Sequence, residues 1–178
     1  MPVSIIPFNM PEPAEIPSHI IDSLKSMPRD EAVAKGMDLL MQIEAADTMV
    51  YERINEGGVP ELAHVAGAGA EQLQAVLEQD TARSFAGQKG FGPSALLIMG
   101  QAEASEESAL PAGVLRFLLE GAESGMLGFN YVLPLTGTEG QLLGALTLIR
   151  RAASGPLNHE QPNICEGLRR ELSQMLAG

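Results

Sequence analysis

Apolar residues in this chain recur at two spacings, and the switches between them mark out the elements. Val33, Met37, Leu40 and Met41 fall three and four apart, with Leu39 and Ile43 widening the stripe, which predicts an amphipathic helix from Asp30 to about Ala45. Asp30 and Glu31 fall in its first turn, where the helix dipole favours carboxylates. Two β-capable runs follow, Thr48 to Ile54 and Glu61 to Ala66, joined by the turn-rich Asn55 to Pro60, and predict a hairpin. Helical spacing returns at Leu73, Val76 and Leu77, for a helix from Glu71 to about Ser84. Gly87, Gly90, Gly92 and Pro93 make Ala86 to Pro93 a loop, and Ala95 to Met99 is a continuous apolar run whose period alone does not separate a buried strand from a helix. Pro111 opens a helix carrying Val114, Leu115, Leu118 and Leu119. Phe129, Tyr131, Leu133 and Leu135 then alternate with Asn130, Val132 and Pro134, and Leu142 to Ile149 is apolar enough to be a strand buried on both faces. The loop Thr136 to Gly140 joins these two strands. Pro134 cannot donate to a ladder and is expected at an unpaired edge, a bulge or a strand end; Gly144 is expected where a helix or backbone comes close. A terminal helix carries Ile164, Cys165, Leu168, Leu172, Met175 and Leu176, with Asn158 as its expected cap and Gln161 three residues on.

Residues 1–28 follow neither spacing. They hold six of the chain's 12 prolines, which predicts an extended arm interrupted by one short helix, Ser18 to Ser26, ahead of a domain at 29–178. Ile5, Ile6, Phe8 and Ile16 in that arm require something to cover them.

Composition narrows the function. The 178 residues suit one domain, and a net charge of −12 disfavours nucleic acid and anionic membrane surfaces as partners. One cysteine allows neither an intrachain disulfide nor a cysteine metal cage, and no stretch reads as a secretion signal or a membrane span, so a cytoplasmic location is expected. No cofactor-binding fingerprint is present: the chain lacks a dinucleotide or P-loop glycine pattern and a nucleophile elbow. The three histidines, His19, His64 and His159, are too dispersed for a shared metal site. His64 is the one histidine placed to be an axial haem ligand, but a half-buried strand histidine with a hydrogen-bond partner is the better-supported reading. Glu106 and Glu107 lie in a polar segment and read as solvated surface, so no catalytic constellation remains and no enzyme is expected.

The order of elements resembles the GAF-domain family of small-molecule sensors. Three stretches carry the resemblance: Asp30 to Leu40 with the hairpin Ala45 to Ile54 and Leu62 to Gly67; Asn130-Tyr-Val-Leu-Pro-Leu135 followed by Gly140-Gln-Leu-Leu-Gly-Ala-Leu-Thr-Leu148; and Pro156-Leu-Asn-His-Glu160 with the helix to Leu176. The second stretch is the most specific. The resemblance implies an α+β fold, a central antiparallel sheet of five or six strands with helices on both faces; a PAS or other profilin-like sheet is the alternative. It also implies a sensor of a bacterial-type signalling protein, a small ligand held between the sheet and the middle of the chain, and an effector such as a kinase, cyclase or hydrolase in the same protein or a partner. Cys165 lies in the terminal helix, outside the region where bilin-bearing members attach their chromophore. A single cysteine also cannot complete the thiol cycle of sulfoxide-reducing members. The cyclic-nucleotide signature is missing its Asn-Lys pair.

On this resemblance the ligand-binding candidates are Phe85, Phe91, Met99, Phe117, Phe129 and Tyr131, with Arg83, Lys89 and Arg116 as anion partners. Taken singly, each of the six is better read as a core residue, and the set is more informative than its members. The competing reading is a ligand-free dimerisation module. In it Cys165, Leu168, Leu172 and Met175, spaced as a heptad-like seam, form a homodimer interface by pairing with their copy or with Val33, Met37 and Leu40, or else the seam only covers the sheet.

Overall fold

In a computed structural model of the chain, residues 4–79, 85–87, 91–92, 94–101, 126–151 and 154–178 are described. Their elements are β1 (Ser4–Phe8), α1 (Ser18–Lys25), α2 (Arg29–Gln42), β2 (Thr48–Ile54), β3 (Pro60–Gly67), α3 (Ala70–Gln79), β4 (Ala95–Gln101), β5 (Met126–Thr136), β6 (Leu142–Arg150) and α4 (Gln161–Ala177). The helix expected from Pro111 lies outside the described residues. The apolar run at Ala95 resolves as a strand. Helix α2 ends earlier than its apolar stripe because Glu44 turns left-handed, with φ of 61°. Its carbonyl accepts from Arg150 Nη1 at 2.6 Å and from Gln161 Nε2 at 3.2 Å, which ties this corner to the end of β6 and the start of α4.

The strands form one six-stranded antiparallel sheet in the order β1-β4-β5-β6-β2-β3. Because strand side chains alternate, its two faces carry two separate cores. One gathers Tyr131, Leu133, Leu135, Leu146 and Leu148 beneath α1, α2 and α4, and the other gathers Val50, Val65, Leu96, Ile98, Val132 and Ile149 with Leu73 and Leu77 of α3. Burial on both sides explains the unbroken apolar run of β6. Tyr51 is buried in the first core with its hydroxyl 3.3 Å from Asp30 Oδ1, and burial with the neighbouring carboxylate pushes its pKa up to about 12.

Residues 4–28 pack as a layer of this fold. The extended arm and short helix are as expected, but β1 pairs with β4 from Ser4↔Met99 to Phe8↔Ala95 and so adds an edge strand to the sheet. Phe8 sits edge-on against Tyr131, with ring centroids 4.9 Å apart. Further along, the arm lies across α4, where Ala14 N donates to Asn163 O at 2.8 Å and Asn163 Nδ2 donates to Glu12 O at 2.9 Å. Gly167 permits this crossing, because a Cβ there would overlap the Ala14 carbonyl oxygen. The two other special positions in the strands behave as their chemistry requires. Pro134 lies where β5 has run past the end of β4, and its carbonyl is taken by Arg169 Nη1 at 3.0 Å instead of by a strand. A Cβ at Gly144 would come within 2.8 Å of the Glu52 carbonyl oxygen on neighbouring β2.

Helix α4 is held to the sheet by polar contacts as well as by its apolar face. Glu166, 1% exposed, accepts from Arg169 Nε and Nη2, both at 2.8 Å, and from Arg170 Nε at 2.7 Å. Burial raises the carboxyl's pKa, but the hydrogen bonds and charges of the two arginines outweigh it and hold it below the ordinary value. Ser173 Oγ accepts from Thr136 N at 3.1 Å. The helix itself starts at Gln161, and Asn158 supplies backbone contacts instead of a side-chain cap: its N–H donates to Gln161 Oε1 at 3.2 Å.

Candidate functional site

The six ligand-binding candidates are distributed over both faces of the sheet. Phe85 is fully buried in the core beneath α3, and Phe91 packs against that same core. Tyr131 and Phe129 belong to the opposite core, under the terminal helices. The Tyr131 hydroxyl is occupied there, accepting from Leu157 N at 3.1 Å, and burial raises its pKa despite the opposing effects of that bond and of Arg150. Met99 is opposite Phe129 in the β4–β5 register. Phe117, with Arg83, Lys89 and Arg116, lies outside the described residues. A single chamber therefore does not contain the set: Phe129 and Tyr131 are separated from Phe85 and Phe91 by the sheet itself. The period of two decides this, since odd-numbered positions of β5 from 129 to 135 share one face and Asn130 and Val132 share the other.

The proposed pairing seam is likewise used within the protomer. Cys165, Leu168 and Leu172 are 1%, 2% and 0% exposed, packed in the core with Val33, Met37 and Leu40 of α2, and Met175 packs against them. The approach of α2 and α4 is close: a Cβ on Gly36 would be 2.9 Å from Leu172 Cδ1. As a surface for a second copy, the seam is already covered. Burial raises the Cys165 thiol to about 12, as fits an inert core cysteine. His64 is exposed on the edge strand β3 instead of half-buried, and among the described residues no group of three or more His, Cys, Asp and Glu side chains could hold a metal.

What the α3-side face does contain is a set of polar side chains inside an apolar core. Glu52 of β2 is 4% exposed, and its Oε1 accepts from Ala86 N at 3.0 Å, which fastens the Phe85–Gly87 segment to the sheet. Asn130 of β5 is 0% exposed; its Nδ2 donates to Ile98 O at 3.2 Å, while its Oδ1 has no partner among the described residues. Thr147 of β6, also 0% exposed, has no partner for Oγ1 among the described residues. Each such atom costs about 1–3 kcal/mol when left without a hydrogen bond. They are neighbours, because Asn130 is opposite Ile149 and Val132 is opposite Thr147, which puts them on adjacent rungs of one face. Neither residue stands out by composition. Their signal was a polar residue at a position of a strand whose two faces were both apolar.

Two surface clefts lie elsewhere. One, of about 580 Å³, is lined by Glu44, Asp47, Arg150 and Ser154 at the α2–β2 corner, and another, of about 470 Å³, lies between Leu24, Arg29, Met175 and Gly178. Arg150 already gives three hydrogen bonds to carbonyls of Glu44, Ser154 and Gly155, so that corner is explained by structure.

A sheet with α1, α2 and α4 on one face and α3 with a second core on the other can be compared with solved structures. A GAF domain from Pseudomonas syringae pv. tomato superposes with a TM-score of 0.53 at 16% identity, over 89% of this chain and 81% of that one. The fold is GAF-like. GAF3 from Slr1393 of Synechocystis sp., in its photoproduct state, gives 0.55 at 14% identity, over 82% of this chain and 91% of its own. The GAF domain/HD domain protein from Geobacter sulfurreducens gives 0.55 at 13% identity, over 88% and 95%. No protein-family model and no curated protein matches the sequence. The GAF-like fold is thus carried by the architecture. No helix among the described residues is long and apolar enough to cross a membrane.

Proposed function

We propose that this chain is the sensory, regulatory part of a signalling protein, binding a small molecule on the α3-side face of its sheet and passing the change through the helices on the other face. The observation that carries this reading is the pair of fully buried, unpartnered oxygens, Asn130 Oδ1 and Thr147 Oγ1, on the face away from α1, α2 and α4. The GAF-like fold supports it, since the Pseudomonas syringae protein carries the description of a sensor histidine kinase and the Geobacter sulfurreducens one joins a GAF domain to an HD domain. An effector of such a kind, in the same protein or a partner, is the proposed recipient. Coupling would run through β5 and β6, whose alternate residues face the two cores, and on to α4 through Arg169 at Pro134 O and Ser173 at Thr136 N. The dimerisation reading is not favoured, because three of its four seam residues are already buried.

Native mass spectrometry of the purified chain tests the proposal. The expected spectrum contains a non-covalent small-molecule adduct that denaturation releases and that Thr147→Val diminishes. A spectrum free of adduct, with no thermal shift across a metabolite panel, would overturn the assignment.

A further inference from the structure

The polarity of the two unpartnered atoms restricts what can bind beside them. Asn130 commits one amide N–H to Ile98 O, and the atom it leaves without a partner among the described residues is the carbonyl Oδ1, an acceptor. Thr147 presents a hydroxyl on the neighbouring rung of the same face, and the residues around the two, Val50, Leu96, Ile98, Val132 and Ile149, contribute aliphatic side chains. A carboxylate or phosphate edge placed against Asn130 Oδ1 would bring lone pair onto lone pair. A purely apolar edge would leave both oxygens as they are, buried and unbonded.

Building on the proposed ligand site, we infer that this face selects a small, uncharged molecule presenting an N–H or O–H donor edge, such as a primary amide or an amino- or hydroxy-substituted ring, and discriminates against anions and against the same shape with a methyl group in place of the donor. Asn130 Oδ1 accepts from that edge. The Thr147 hydroxyl accepts a second donor or gives its own proton to an acceptor on the same molecule, so a primary amide, with both functions one bond apart, is the best-matched group. The diagonal spacing of such neighbours on adjacent strands, roughly 7 Å between Cα atoms, suits one planar group lying across both.

The test uses size-matched probes that differ only in the donor: benzamide against acetophenone, and aniline against toluene. Affinities are measured on the full chain by saturation-transfer NMR, with folding of each variant checked by its thermal melt. The donor-bearing member of each pair is expected to bind about tenfold more tightly, the order of one buried hydrogen bond. In Thr147→Val, and separately in Asn130→Leu, that preference is expected to fall to about twofold or less. Equal binding of both members, the result expected if a water already satisfies the two oxygens, would overturn this inference and leave the ligand site standing. A donor preference unchanged in both variants would also overturn it, by placing the recognising group elsewhere. Failure of every probe to bind would defeat the site and the inference together.

Discussion

Gly167→Ala is a severe test of whether residues 1–28 belong to the folded unit. Taken as a helix position alone, the substitution should stabilise: alanine is about 1 kcal/mol better than glycine in a helix interior. Here the added methyl group meets the Ala14 carbonyl, a backbone atom that can move only if the arm lifts from α4, and Ile16 Cδ1 is 3.2 Å from the same point. Lifting the arm breaks Ala14 N to Asn163 O and Asn163 Nδ2 to Glu12 O, together worth about 2 kcal/mol, and loosens the packing of Ile16 by about another 1 kcal/mol. The loss exceeds the helical gain, leaving a net destabilisation of about 1–2 kcal/mol. For a domain of this size that lowers the melting temperature by about 3–6 °C. Differential scanning calorimetry reads the shift, and hydrogen exchange at Ala14 should speed up in parallel. A melting temperature that rises, as for glycine to alanine in an unobstructed helix, would refute the reasoning and detach the arm from the domain.

Three further outcomes are expected. Thr147→Val removes a buried hydroxyl that has no partner while preserving shape, so the ligand-free protein should melt about 3–8 °C higher, from a gain of about 1–3 kcal/mol; a lower melting temperature would mean the hydroxyl is bonded. Glu166 has a native pKa below its unfolded value, so its contribution is fully present above the unfolded value and disappears as pH falls through the native one. Thermal melts should therefore show Glu166→Gln less stable at neutral pH and flatter than wild type on acidification, and parallel curves for the two proteins would contradict this. Cys165, with a pKa near 12 and 1% exposure, should resist an aromatic disulfide reagent at pH 8 until denaturant is added; rapid reaction in the native state would show that α4 lifts from the sheet.

Much of the architecture could be read from spacing because spacing is a local property. The alternation at Phe129–Leu135, the two-sided apolarity of Leu142–Ile149 and the hairpin at Thr48–Gly67 are each written within a short stretch of chain, and each recurs in the structure with its boundaries moved by a few residues. Pro134 and Gly144 were legible for the same reason, as the absence of a donor and of a side chain are properties of the residue itself. The site was harder. The resemblance that grouped Phe85, Phe91, Phe129 and Tyr131 marks a stretch of chain and not a face of the sheet, and the face taken by Phe129 and Tyr131 depends on which helices cover it. The arm was obscured by its prolines, which predict extension but not a partner; β4, nearly half the chain away, supplies it. The terminal seam was identified correctly as an apolar stripe, yet a stripe carries no information on whether its partner is α2 of the same chain or a second copy. Gly36 opposite Leu172 was the residue-level sign of the intramolecular answer.

The pairing of β1 with β4 also orders events during synthesis. Phe8 is made before its partner Ala95 by about 90 residues, which at roughly 5–20 residues per second leaves β1 unpaired for roughly 5–20 s. Throughout that interval Ile5, Ile6 and Phe8 form a sticky segment on the nascent chain, and until the arm pairs with it β4 presents an open edge to the arms of other chains. Pro7 lies in the middle of that segment, and a strand with a missing donor is a poor template for prolonged mispairing, so the residue that makes the arm look irregular also guards it while it waits.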